Sequence, residues 1–208
     1  MKSKITFLIL VFCFTTLLTS LPAKAEKTSE SITEVADLPP LEKVKVTIDE
    51  IIKIVEANSG DENTTQRREK LRELINPVFD FEEMAKRSLG ANWREATQDE
   101  RKEFVDVFSD LLAKTYLSKI ETVKSGMVTV NSENVDQGRA LVKTSVLHRG
   151  ETFPLDYRLQ NTSGKWKVYD VIIENIGLVA NYRNEFAGIV RKDKISGLIR
   201  RLKDKQSE

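Results

Sequence analysis

The feature that most narrows the fold is a change of hydrophobic period: helical spacing up to Met127, alternation from there to Ile173, and helical spacing again beyond. In the first part Leu41, Val44, Ile48, Ile51, Ile52 and Val55 recur at three- and four-residue steps until Asn58-Ser59-Gly60, which predicts an amphipathic helix with a glycine stop. A second helix starts near Thr65 with Leu71, Leu74, Ile75 and Val78 on one side, and Pro77 bends or ends it by removing an intrahelical hydrogen bond. Asp80 is placed to N-cap a short helix over 81–89, closed by Gly90. Thr97 and Glu100 form a capping box, followed by the stripe Phe104, Val107, Phe108, Leu111, Leu112, Tyr116 and Ile120.

The alternating part predicts four strands of an antiparallel meander. Val128 and Val130 begin it, 141–147 is a β-branched run, and Phe153, Leu155, Tyr157 and Leu159 alternate with polar residues. The last strand, 166–173, is apolar on both parities, which requires cover on both faces. Turns fit at Arg149-Gly150 and Thr162-Ser163-Gly164. Helical spacing returns with Ile176, Leu178, Val179, Tyr182, Phe186, Ile189 and Val190, then Ile195, Leu198, Ile199 and Leu202. Helices, then strands, then helices mean an α+β domain, here over residues 41–204, rather than a parallel α/β sheet.

Upstream, Lys2 and Lys4 precede an apolar run from Ile5 to Leu18 and the sequence Leu21-Pro22-Ala23-Lys24-Ala25. A basic start, a short apolar core and an Ala-x-Ala site are the parts of a secretory signal, with cleavage expected after Ala25 and export to the periplasm. Residues 26–40, polar and ending in Pro39-Pro40, read as a flexible leader. The single cysteine, Cys13, lies in the signal, so the exported chain has no thiol for a disulfide, a nucleophile or a soft metal site. Loss of Lys2, Lys4 and Lys24 takes the basic residues from 33 to 30 against 32 acidic ones. That balance argues against nucleic acid, whose binding rests on a basic surplus.

The search for chemistry is mostly empty. No glycine-rich loop followed by Lys-Ser/Thr and no GxGxxG after a strand occurs, so no nucleotide cofactor is expected. His148, the only histidine, has no sequence neighbour to position it as a general base and reads as a polar residue at a strand end. No catalytic set, metal site or cofactor is therefore assigned. Arg200, Arg201, Lys203 and Lys205 line the last helix, either as a solvated face that suits the negative end of its dipole or as a docking surface for an acidic protein or anionic headgroups.

Linked motifs add a family to this picture. Phe79-Asp80-Phe81 with Met84-Ala85 and Leu89-Gly90, the segment from Trp93 to Thr97, Tyr116, the segment from Trp166 to Val171, the segment from Leu178 to Phe186, and Ile195-Ser196-Gly197-Leu198 occur in order. Together they resemble the MlaC family of periplasmic phospholipid-binding proteins, also known as the toluene-tolerance auxiliary transport family. The resemblance implies a curved four-stranded sheet with helices packed over it, enclosing an apolar cavity. It also implies a non-enzymatic carrier of phospholipid that serves outer-membrane lipid asymmetry. Its partners would be an outer-membrane lipoprotein/porin complex and the lipid-binding subunit of an inner-membrane ABC transporter. A related branch carries hopanoids, and a small-molecule enzyme on a cone-shaped α+β scaffold is a further alternative. With the sheet's concave face turned to the long helix, the expected cavity wall is Phe104, Phe108, Leu111 and Leu112 from that helix. Leu155, Tyr157, Val168 and Ile172 from the strands complete it with Leu178, Tyr182 and Phe186 from the closing helix.

Overall fold

A computed structural model describes residues 38–207. The expected signal segment, Cys13 and most of the expected leader lie outside the described residues. The first helix, α1 (Pro40–Ala57), takes in the last leader residue: Pro40 is buried at its first position, where proline's fixed φ suits the turn and its missing N–H is not needed. A single 3-10 turn leads to α2 (Thr64–Ile75), then come α3 (Phe81–Leu89) and α4 (Gln98–Ile120). Both expected caps form. Asp80 accepts from the Glu83 amide at 3.0 Å, and Thr97 and Glu100 complete a reciprocal capping box at the start of α4.

The strands β1 (Val128–Asp136), β2 (Arg139–His148), β3 (Glu151–Thr162), β4 (Lys165–Ile173) and β5 (Ile176–Gly177) pair in chain order into one antiparallel sheet, five-stranded where four strands were expected. Ile176, expected to open the last helix, instead pairs with Ile173 in β5. Two-residue turns make the meander: Gln137-Gly138, Arg149-Gly150 and Ser163-Gly164 all have positive φ at both positions. That geometry matches the right-handed twist of the flanking strands, and glycine at the second position adopts it without steric cost. The outer edge of β4 is not left open. At one end Phe79 bridges to Val168, with Asp80 N donating to Val168 O and Val168 N to Val78 O; at the other end β5 covers it.

A bulge in β4 decides which side chains share a face. Arg158 pairs with Asp170 but Leu159 pairs with Val168, so Tyr169 is the extra residue. Parity reverses there. Val168 stays on the inner face with Leu159, whereas Val171 and Ile173 join it beyond the bulge, opposite Tyr157 and Leu155. Asp170 and Ile172 point the other way. Cover on both faces of β4 follows, as its residues 168–171 are all buried. On the outer side α3 and α5 (Leu178–Ser207) pack against β4. The Arg87 guanidinium of α3 sits 4.3 Å from the centre of the Tyr169 ring, and Asp170 accepts from the Val179 amide at the start of α5 at 3.1 Å.

The helix α5 is broken at Lys194, whose φ is 63°. Asp193 lies so close to the next turn that a Cβ at Gly197 would come within 2.4 Å of the Asp193 Cβ. Glycine is required there by contact rather than by φ.

Two apolar clusters result. One is helical, joining α3, α4 and α5 through Met84, Phe104, Phe108, Leu112, Tyr182 and Phe186 among others. The other joins α1 to the inner face of the sheet through Val44, Ile48, Ala140, Val142, Leu159 and Val168. The long helix α4 has α3 and α5 as its principal neighbours, and it is α1 that packs on β1 and β2. The expectation that the long helix faces the sheet is thus corrected. The physical reason is the all-apolar stripe of α4, which is already covered by aromatic side chains of α5.

Candidate functional site

The inner face of the sheet is buried unevenly along its length. At the end covered by α1 and by Val78, the cross-strand neighbours Ala140, Leu159 and Val168 are sealed, with Leu159 at 0% and Val168 at 1% exposure. Moving along the strands, the same face carries Tyr157, Leu155, Phe153 and Ile173, together with Val128 and Val130 of β1, and all of these are only half-buried. Ile52 of α1 and Leu178 of α5 border them, also half-buried. The half-buried side chains thus lie on β1, β3 and the end of β4, while Val142, Thr144 and Val146 of β2 between them stay buried along the whole strand.

Tyr157 shows what kind of surface this is. Burial alone pushes its phenol up to about 12, so much of the water around the side chain is already displaced by protein. Yet the residue keeps accessible surface. Tyr157 is thus closely surrounded without being sealed. The polar groups at hand are committed elsewhere: Thr144, buried on the inner face between Val142 and Val146, donates its hydroxyl to Leu155 O, and its amide donates to Asp156 Oδ1 at 3.2 Å. The wall presented to a ligand is apolar, with the Tyr157 hydroxyl as its polar exception.

The expected wall residues fall in three places. Leu155, Tyr157, Val168 and Leu178 belong to the inner-face cluster. Ile172 lies on the opposite face, paired with Asp156 and Gly177, because the Tyr169 bulge breaks the parity that would have set it beside Val168. Phe104, Phe108, Leu111, Leu112, Tyr182 and Phe186 belong to the helical cluster. There Phe104 stacks on Phe108 at 5.6 Å, and Phe108 meets the edges of Tyr182 and Phe186 at 5.3 and 5.9 Å. Ile52, Val130, Phe153 and Ile173 are additions. Ile52 was legible as part of the α1 stripe, but Ile173 was hidden by the bulge.

His148 is exposed at the end of β2, where its cross-strand partner is Glu151. Among the described residues no group of His, Cys, Asp or Glu is arranged to hold a metal ion. No helix among them is long and apolar enough to cross a membrane.

Residues 45–204 match the family described as MlaC protein. The chain belongs to the MlaC family. Among its relatives, the toluene tolerance protein ttg2D of Pseudomonas putida is 27% identical over 164 residues, 76% of each chain. The intermembrane phospholipid transport system binding protein MlaC of Haemophilus influenzae is 20% identical over 184 residues, covering 85% of this chain and 86% of that one. A solved phospholipid-binding protein from Ralstonia solanacearum, in complex with a phospholipid, superimposes with a TM-score of 0.67 at 25% identity, over 89% of this chain and 98% of that one. As a member of the MlaC family the chain is a binding and transport protein and not an enzyme.

Proposed function

We propose that this MlaC-family chain is exported to the periplasm, with cleavage after Ala25, and carries phospholipid there with its acyl chains against the inner face of the sheet. The observation that carries the reading is the set of half-buried apolar side chains around Tyr157 on the inner face of the sheet. Such a wall is what acyl chains need. Each CH₂ exposed to water costs about 0.8 kcal/mol, so a pair of ~16-carbon chains costs on the order of 25 kcal/mol to desorb unshielded. A carrier that offers a dry surface removes most of that barrier while the polar head stays near solvent. In this reading Leu155, Tyr157 and Leu178 touch the chains, Val168 closes the deep end, and the helical cluster is the frame that holds α5 in place. Lipid shuttles between an outer-membrane lipoprotein/porin complex and the lipid-binding subunit of an inner-membrane ABC transporter. Two observations support the assignment: the family match, and the phospholipid bound to the Ralstonia solanacearum protein of similar fold.

The decisive experiment is to purify the exported chain from a bacterial periplasm, extract it with organic solvent and identify the extract by mass spectrometry. Stoichiometric phospholipid is expected. Recovery of a folded chain with no bound lipid overturns the reading.

A further inference from the structure

A cleft of about 350 Å3 lies between α2, α4 and the end of α5, and shares no residue with the apolar cluster on the inner face of the sheet. Its size is just above the ~300 Å3 at which small-ligand pockets begin. Two helices furnish it with matched pairs. Arg68 and Arg72 stand four residues apart on α2, and Lys114 and Ser118 have the same spacing on α4, so each pair shares one helix face. Between the pairs lies the buried Leu117. The one acid in the lining is Asp110.

The donors there are only partly used. Arg72 gives Nη1 to Asp110 at 3.2 Å and keeps Nε and Nη2 without a protein acceptor among the described residues. Arg68 gives Nε and Nη2 to Glu121 at 3.1 and 3.0 Å and keeps Nη1. Lys114 donates to the carbonyls of Lys205 and Gln206 at 3.0 and 3.3 Å, two weak neutral acceptors at a helix end. Arg68 is thus matched by Glu121, which leaves Arg72 and Lys114 against Asp110, and that carboxylate, 55% exposed, holds a single arginine nitrogen.

We propose that this cleft binds the phosphate group of a ligand, with Arg72 and Lys114 engaging it from opposite walls in competition with Asp110. The guanidinium fork fits the paired oxygens of a phosphate, and charge-assisted bonds of this kind are stronger than the neutral contacts Lys114 now makes. Phosphate reaches the cleft from either of two sources: the headgroup layer of an anionic bilayer or a soluble phosphate ester. The site is independent of whether the inner face of the sheet holds acyl chains.

The test uses the exported chain, isotope-labelled, titrated with inorganic phosphate at constant ionic strength set by sodium chloride. Saturable amide shifts at residues 68, 72, 114 and 118 are expected. Arg72→Gln and Lys114→Gln each weaken binding about tenfold, the equivalent of one charge-assisted contact. Asp110→Asn tightens it, a gain that a damaged fold does not produce. Flotation with vesicles of phosphatidylglycerol in phosphatidylcholine then separates the sources. Binding that follows the same order of variants assigns the headgroup layer, and shifts with phosphate without flotation assign a soluble ester. Absence of saturable shifts, or equal binding by the wild type, Arg72→Gln and Asp110→Asn, overturns the proposal.

Discussion

The helical cluster and the inner face of the sheet are both apolar, one rich in aromatic rings and the other in aliphatic side chains, and they differ in how completely they are covered. In the helical cluster Phe104, Phe108, Phe186 and Leu198 are exposed by 1% or less, and the three phenylalanine rings stack and cross within 6 Å of one another. On the sheet, burial is as complete at Leu159 and Val168 but fades within two cross-strand rows to the half-buried Leu155 and Ile173. Aromatic rings on facing helices find partners on every side, so they close their own surface. A twisted sheet face needs an outside cover, and α1 is too narrow to cover all of it. The difference marks one cluster as frame and the other as ligand surface.

The comparison breaks most sharply at Phe108. Its ring contacts Phe104, Tyr182 and Phe186, so Phe108→Ala is expected to cost about 3–5 kcal/mol in denaturant unfolding, the usual range for an aromatic cavity. The folded fraction should still hold lipid. If Phe108→Ala instead keeps its stability and loses lipid, frame and ligand surface have been assigned the wrong way round.

Asp170 joins the two regions and should come second. It is buried, accepts from the Val179 amide, and pairs with Arg158 Nη1 at 3.1 Å, while Gly177 approaches so closely that a Cβ there would meet Asp170 Oδ2 at 3.0 Å. Asp170→Ala leaves the first turn of α5 without its acceptor, and a loss of about 1–3 kcal/mol is expected from the orphaned amide. Thermal unfolding of Asp170→Ala within error of the wild type would show that α5 is docked by its apolar side alone.

Leu155 gives the opposite profile. A charge at a half-buried position can keep part of its hydration, so Leu155→Asp is expected to cost only about 1 kcal/mol, near the centre of the range for point mutations. Lipid recovered by solvent extraction should nevertheless fall to near zero. Ile172→Asp, at an equally half-buried position on the other face of β4, is the control: it should cost a similar amount and leave the lipid stoichiometry of the folded protein unchanged.

These two residues also show how far the sequence could be read. Periodicity located every long helix and the four long strands, because amphipathic spacing, the Asp80 cap and the Thr97/Glu100 box are local and agree with one another. The two-residue strand β5 and the polar half of β1, from Asn131 to Asp136, carry no pattern of their own and are set by pairing with β4 and β2. The ligand wall was half legible. Leu155, Tyr157 and Val168 follow from alternation, but one extra residue at Tyr169 flips Ile172 and Ile173 between faces, and a bulge has no signal in a strand apolar on both parities. Which helix covers the sheet is a tertiary fact, since α1 and α4 each carry an apolar stripe.

A smaller effect concerns the way α2 is held against α4. Glu121, 10% exposed at the end of α4, takes Arg68 at 3.0 Å and Arg67 at 3.0 Å. The hydrogen bond from Arg68, with help from Arg67, holds its carboxyl below the ordinary 4.5. A depressed carboxylate adds stability that is fully present above 4.5 and is lost as pH falls through the folded-state value. Glu121→Gln should therefore flatten the acid limb of the stability curve below 4.5 without altering the limb at higher pH. An acid limb identical to the wild type would show that the pair is too hydrated to matter.

The finest test uses two tyrosines as reporters of the two regions. Burial is the main cause that pushes both Tyr157 and Tyr182 up to about 12, although Tyr182 also feels Tyr116 beside it. For both, the fold favours the neutral phenol, so stability should decline as pH rises from 10 toward 12. They part company when ligand is added. Tyr182 packs against Phe108 and Phe186, and a lipid on the sheet leaves its surroundings as they are. Tyr157 keeps accessible surface that acyl chains would cover, which removes more water from its phenolate and raises its value further. Phenolate absorbance titrations of delipidated and reloaded protein, with Tyr157→Phe and Tyr182→Phe to assign the two steps, should show the Tyr157 step moving up on loading and the Tyr182 step standing still. Movement of the Tyr182 step alone would place the lipid among the helices and reassign the sheet face to packing.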